Sequence, residues 1–296
     1  MKDQLCKALV LEGRVRIYLV RTTDLVQEAR DRFDLHPCAC AALGRTLSVG
    51  SMIGSMLKSE DEMLTITING HGPIGSIMVD AYHNGNVRGF CSNPHVEDVF
   101  NDHGLDVGAV VGTNGTLTVT KDLSMQENFT GTVELQSGEI GEDFAYYFTL
   151  SEQTPTAVSV GVLVGTDGNV LSAGAMILQM LPDATEEDIL ICENVLSGLK
   201  PMSALMLDYD DSSLEQLIND MFDNAQVLSS DPVQFSCPCS KERMAGALST
   251  LKTEDIQEMI EEDHGCEVTC NFCNERYAFS ESDLKEILEK RNAKWN

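Results

Sequence analysis

Residues 64–90 read LTITINGHGPIGSIMVDAYHNGNVRGF, and two incompatible folds compete for them. The run Gly70-His-Gly-Pro-Ile-Gly75 has the spacing of a dinucleotide-binding turn, with Glu97 and Asp98 at about the 20-residue distance expected of an acidic ribose ligand. That reading requires a helix to open at once, so that its N-terminus faces a pyrophosphate. Here Pro73 interrupts, and a strand-like segment, Ser76-Ile-Met-Val-Asp80, follows. Asn84-Gly85 then signals a type I′ hairpin turn leading toward Val87-Arg-Gly-Phe90. Upstream, Leu64-Thr-Ile-Thr-Ile68 alternates apolar and polar residues. The stretch therefore predicts antiparallel strands joined by a glycine-rich connection.

Further strands are expected at Thr116–Thr120, Thr132–Leu135 and Val158–Val164, the last joined across Asp167-Gly168-Asn169 to Val170-Leu171 and beyond. One helix should open at Thr23 or Asp24 and run toward Arg32. A second should start with Pro37 in its first turn and run toward Lys58. Neither an internal repeat nor a regular alternation of strand and helix is present, so the class is α+β, with an N-terminal, mostly antiparallel β-sheet domain over 1–182.

After Pro182 the composition changes. From Asp183 to Ser236 there are 12 acidic residues and one basic residue, Lys200, with apolar residues at helical spacing. A helical linker over 183–232 is expected. Thr185 with Asp188 and Ser212 with Glu215 fit capping boxes, while Gly198 and Pro201 end the first helix. Apolar faces such as Ile189, Leu190 and Leu196 must lie against the first domain. The remainder, 233–296, is a small C-terminal domain with short helices near 240–251, 254–262 and 282–290.

Two tight cysteine pairs occupy that tail: Cys237-Pro-Cys239 and Cys270-Asn-Phe-Cys273, with 30 residues between Cys239 and Cys270. Four thiolates in two close pairs suit a closed tetrahedral zinc site, one Zn2+ per chain, with no open position for catalysis. His264 and Cys266 lie close enough in sequence to be alternative ligands, although four cysteines already complete the set. Cys38-Ala-Cys40 has no matching second pair and falls in an Ala-rich helix, where core packing is expected. Cys6, Cys91 and Cys192 are isolated and read as small buried residues. A tail of about 60 residues buries too little apolar surface for comfortable stability. Metal binding, at about 10–16 kcal/mol in small zinc modules, would decide whether it folds.

The net charge of -27 disfavours nucleic acid and anionic membrane surfaces as partners. The N-terminal segment interrupts its apolar runs with charges, so no export signal is expected and the protein should be cytoplasmic. Ten cysteines in such a chain point to metal binding, redox chemistry or burial. No Ser/His/Asp order, nucleophile elbow or phosphate-binding loop occurs, and the chain is expected not to be an enzyme.

The cysteine array, taken with Gly72-Pro-Ile-Gly75, Asn93-Pro-His-Val96, Lys121-Asp-Leu123, Ser137-Gly-Glu-Ile-Gly-Glu-Asp143 and Ser151-Glu-Gln153, resembles the heat shock protein 33 family over nearly the whole chain and in family order. Those proteins are redox-regulated holdase chaperones of the bacterial cytoplasm. The resemblance implies that Cys237, Cys239, Cys270 and Cys273 bind zinc in a reduced, inactive state. It further implies disulfides Cys237 with Cys239 and Cys270 with Cys273 under oxidative stress, release of zinc, unfolding of the tail and linker, and ATP-independent binding of unfolded client proteins by a homodimer. Two other readings compete. One is a static zinc domain that docks a partner. The other is a thiol oxidoreductase using Cys270 and Cys273, which would lack the βαβ setting such a motif usually has.

Overall fold

A computed structural model describes residues 2–102, 104–125, 127–209 and 212–294. The chain divides into two compact units, Met1–Ser236 and Cys237–Asn296.

The first unit begins with the hairpin β1 (Gln4–Val10) and β2 (Val15–Arg21), followed by helices α1 (Thr23–Phe33) and α2 (Pro37–Gly54). Strands β3 (Met63–Asn69), β4 (Ser76–Tyr82) and β5 (Val87–Cys91) come next, then the two-residue strands β6 (Phe100–Asn101) and β7 (Gly104–Leu105) and the short helix α3 (Val107–Val111). After β8 (Thr116–Asp122), β9 (Phe129–Glu134) and α4 (Gly141–Leu150), the long hairpin β10 (Thr156–Val164) and β11 (Val170–Met180) returns to the first strands. The acidic segment supplies α5 (Glu186–Gly198), α6 (Met202–Asp208), α7 (Leu214–Met221) and β12 (Gln226–Pro232). Two five-stranded sheets result, ordered β10-β11-β2-β1-β12 and β5-β4-β3-β8-β9, with antiparallel pairing throughout.

Helix α2 packs against strands of both sheets, and its side chains from Cys38 to Gly54 are buried on nearly every side. That explains a sequence apolar and small all round instead of along one stripe. Cys38 and Cys40 are fully buried within it, and Cys6, Cys91 and Cys192 are buried elsewhere, so packing accounts for all five. Burial pushes the thiols of Cys6, Cys38 and Cys192 up to about 11 and those of Cys40 and Cys91 up to about 12, which keeps them protonated and unreactive.

The glycine run at 70–75 is the β3–β4 connection. A Cβ on Gly70 would lie 2.1 Å from the Gly112 carbonyl oxygen and one on Gly72 2.4 Å from that of Val110, so both glycines serve backbone contact with the end of α3. The turn after β4 differs from the type I′ expectation. Tyr82 and Asn86 bracket a three-residue loop in which Gly85 has φ +78 and Asn84 does not take the left-handed conformation. Such loops place a left-handed glycine at a bulge. Helix α2 also stops at Gly54, short of Lys58.

Several of the motif residues quoted above anchor turns and loops of this unit. Asp143 accepts backbone N–H groups from Gln136, Ser137, Gly138 and Ile140 at 2.7–3.3 Å. Glu152 accepts from both Lys121 Nζ and Tyr147 Oη at 2.7 Å. Asn93 donates its side-chain amide to the Pro73 carbonyl, and the Pro94 carbonyl accepts from the His36 N–H.

The acidic segment lies on the outer side of the first sheet. Cys192, Met202, Leu205, Met206, Leu214, Leu217, Ile218 and Phe222 form one core with Ala8, Val10, Ile17, Leu19 and Leu178. Leu196 joins that core, whereas Ile189 and Leu190 are exposed, because α5 turns the Cys192–Val195–Leu196–Leu199 side toward the sheet. The last part, 226–232, is a strand on β1 and not helix. Thr185 and Asp188 form the expected capping box, while α7 is capped by Ser213 and not Ser212.

Two arginines of the β1–β2 hairpin fix the segment through their guanidinium groups. Arg14 donates through Nε and Nη2 to both oxygens of Asp188, at 2.8 and 3.0 Å, and the Asp188 side chain is only 2% exposed. Arg21 donates through Nη2 to the carbonyls of Tyr209 and Ser212. The Arg14 guanidinium, helped by the Thr185 N–H, holds the Asp188 carboxyl well below the usual carboxylate range. A depressed folded-state pKa contributes stability above the unfolded value of about 4 and loses it only as pH falls below that. At neutral pH, Arg14→Ala should accelerate limited proteolysis within 183–222 several-fold while leaving the sheets folded by circular dichroism. Unchanged cleavage would mean that apolar packing alone holds the helices.

Candidate metal centre

The second unit comprises α8 (Lys241–Leu248), α9 (Thr253–Glu261), the hairpin β13 (Gly265–Thr269) and β14 (Arg276–Ser280), and α10 (Glu281–Lys294). The three helices match the expected ones, whereas the hairpin was not expected. Among the described residues its apolar core is formed by the buried side chains of Leu248, Ile256, Phe279, Leu284 and Ile287, with partly buried neighbours such as Val268 and Tyr277.

Cys237 and Cys239 lie in the extended segment just before α8, whose N-cap is Ser240. Arg243 in the first turn donates Nη1 to the Pro238 carbonyl at 2.9 Å, pinning the residue between the two cysteines. Cys270 and Cys273 sit in the β13–β14 turn. The Cys270 carbonyl accepts the N–H groups of Cys273 and Asn274, the Cys270 N–H donates to Glu275, and Asn274 takes φ +58 to close the turn. This is a tight knuckle that points two sulfurs the same way.

The Sγ atoms of Cys237, Cys239, Cys270 and Cys273 all lie within 4.8 Å of one another. The Cys237–Cys270 separation is 3.8 Å and the Cys239–Cys273 separation 3.3 Å. Thiolates about 2.3 Å from a tetrahedral zinc ion would sit about 3.8 Å apart, so the donor set fits such an ion in number, type and spacing. Burial pushes the Cys270 thiol up, and the neighbouring Cys237 pushes it further; burial likewise raises Cys273. A divalent cation is what would allow all four to be thiolates at once. The four residues could hold a metal ion, and the closed set leaves no free protein-built position on it.

Cys266 and His264 lie outside the group. Cys266 pairs across the hairpin with Phe279 and packs against the small core, and His264 Nδ1 lies 2.8 Å from Glu281 Oε1 at the surface. The Tyr277 hydroxyl also reaches the cluster, 3.1 Å from Cys239 Sγ. Nothing in the cysteine spacing singles out Tyr277; the signal would have been its place on a strand that immediately follows the knuckle.

The family model described as Hsp33 protein matches residues 3–280. The chain belongs to the Hsp33 family. A relative called 33 kDa chaperonin from Halalkalibacterium halodurans is 48% identical over 293 residues, covering 98% of this chain and 100% of the relative. Another 33 kDa chaperonin, from Bacillus cytotoxicus, is 47% identical over 98% of this chain and 99% of its own. The crystal structure of the 33 kDa chaperonin from Thermotoga maritima superposes with a TM-score of 0.89 at 33% identity, covering 99% of this chain and 100% of that one. An Hsp33-family chain is thus a chaperone by kinship, and its α+β fold with a cysteine cluster near the C-terminus agrees with the sequence expectation. Among the described residues no single helix is long and apolar enough to cross a membrane.

Native mass spectrometry of the reduced protein should find one divalent metal ion per chain. Cys273→Ser should lose most of it, while Cys38→Ser and Cys266→Ser should retain it. Retention in Cys273→Ser would place the ion elsewhere.

Proposed function

We propose that this protein is a redox-regulated, ATP-independent holdase chaperone. In the reduced, inactive state Cys237, Cys239, Cys270 and Cys273 hold one Zn2+ as thiolates. Oxidation within each pair, Cys237 with Cys239 and Cys270 with Cys273, releases the ion and unfolds the C-terminal region. The acidic segment 183–232 then loosens, and the uncovered surface of the domain over 1–182 binds unfolding proteins and prevents their aggregation during oxidative stress in the cytoplasm, in a homodimeric form. The protein turns over no substrate, and neither nucleic acid nor membrane is a partner.

The observation that carries this reading is the placement of four clustered sulfurs in a unit whose apolar core, among the described residues, centres on five buried side chains. Zinc bound there would supply charge to stabilise the thiolates and about 10–16 kcal/mol toward folding, as much as a typical domain's entire stability. In each pair one thiolate attacks a peroxide oxygen, breaking the O–O bond to give a sulfenic acid and hydroxide. The second thiolate then displaces the sulfenic oxygen as hydroxide, forming the S–S bond. The pair loses two electrons, the peroxide gains them, and with two protons it leaves as two waters. Disulfide sulfurs carry no charge and no longer hold a cation.

Which sulfurs join decides the outcome. Sulfurs of different motifs also lie close, Cys237 to Cys270 at 3.8 Å and Cys239 to Cys273 at 3.3 Å, and bonds there would staple the unit shut. Bonds within the motifs, the pairing the family resemblance implies, would remove the cross-connection. The acidic segment supports the next step. Its self-repelling helices cover Ala8, Val10, Ile17, Leu19 and Leu178, so their departure would present a continuous apolar sheet face to a client.

The test follows zinc release with a chromogenic chelator and aggregation of a heat-unfolded client in one sample, before and after peroxide at mildly elevated temperature. Zinc loss together with newly gained, thiol-reversible suppression of aggregation is expected. Zinc loss without that activity would reduce the cluster to a structural site.

A further inference from the structure

We infer that the Tyr277 hydroxyl is a positioning group that holds Cys239 in the metal-bound thiolate form and sets how readily oxidant reaches it. The inference rests on the reading of the four sulfurs as a zinc site and concerns its regulation.

The contact spans the unit. Tyr277 lies on β14, opposite Val268 of β13, and its ring packs against the small core, so the hairpin fixes the ring independently of the hydroxyl. The hydroxyl reaches 3.1 Å to the sulfur of a residue 38 positions earlier, in the other cysteine pair. A thiolate offers no proton, so in the ionised cluster the phenol is the donor and the bond is charge-assisted. Four thiolates around one dication leave excess negative charge, and a half-buried donor relieves it in the manner of the outer-shell partners that orient metal ligands.

Cys239 differs in this from the knuckle cysteines. The Cys270 and Cys273 sulfurs face backbone N–H groups of Phe272 and Glu275, donors supplied by their own turn. The donor to Cys239 comes from a different part of the sequence, on the strand that leaves that turn. When the hairpin loses its order, Tyr277 is withdrawn and the Cys239 sulfur recovers electron density. Hydrogen bonding to a thiolate lowers its nucleophilicity, so the same withdrawal speeds its attack on peroxide. Tyr277 thereby makes the reactivity of the Cys237–Cys239 pair depend on whether the Cys270–Cys273 hairpin is folded.

Tyr277→Phe removes the hydroxyl and keeps the ring. In the full-length variant, competition with a zinc chelator should show affinity lowered roughly tenfold or more. Timed alkylation after a peroxide pulse, read by peptide mass spectrometry, should show Cys239 consumed several-fold faster while Cys270 changes little. The cobalt-substituted protein supplies a readout that packing alone would not move: losing a hydrogen bond to a thiolate should shift the sulfur-to-cobalt charge-transfer band to longer wavelength. If the wild type binds neither zinc nor cobalt, the metal-site reading itself fails. If the wild type binds both and Tyr277→Phe matches it in affinity, Cys239 rate and band position, the role assigned to Tyr277 is wrong and the metal site stands.

Discussion

Four sulfur atoms within 4.8 Å of one another cannot all carry charge in a half-buried setting unless a cation lies among them, and that constraint governs the C-terminal unit. The chain around them has little else to rely on. The core cluster of Leu248, Ile256, Phe279, Leu284 and Ile287, a hairpin of two five-residue strands and three short helices make too small a core to absorb the loss of one dominant contribution. On the proposed reading, a change in the charge or bonding of the sulfurs would change whether the unit folds.

The larger unit is built on the opposite plan. Two five-stranded sheets enclose an almost wholly buried helix, and the turns around it are fixed by carboxylates that collect backbone N–H groups, as Asp143 does. Only the acidic segment departs from that redundancy. It combines an apolar underside with a surface of like charges, and the Arg14–Asp188 pair and the Arg21 contacts to Tyr209 and Ser212 are local attachments at its two halves. A layer held this way covers the sheet while its like surface charges repel one another.

Much of this was legible in the sequence, for physical reasons. The strands of the second sheet alternate cleanly because one face is buried, so Leu64–Ile68 and Thr116–Thr120 read as what they are. The cysteine spacing identified the four sulfurs that come together, since few other arrangements use two such pairs. Elements without one clean buried face were hidden. Strand β12, with sequence QVLSSDP, is an edge strand with no fully buried residue, and it inherits the acidic composition of the helices before it. Hairpin β13–β14 offers only Cys266 and Val268 as an alternating pair on its first strand. Ile189 and Leu190 misled by hydropathy: helical spacing identifies a stripe, but only packing decides which side of α5 turns inward. At Asn84-Gly85 the dipeptide marked the turn, while the loop length, three residues instead of two, set its type.

If the chemical state of the four sulfurs controls the order of the acidic helices α5–α7, amide hydrogen exchange will register it. Exchange in the reduced, zinc-loaded protein would be compared with that in the peroxide-treated protein, peptide by peptide. Protection should be lost over 237–294 and also over α5–α7, while α2 and the sheet strands remain protected. Protection lost only over 237–294, with α5–α7 as slow to exchange as before, would contradict it.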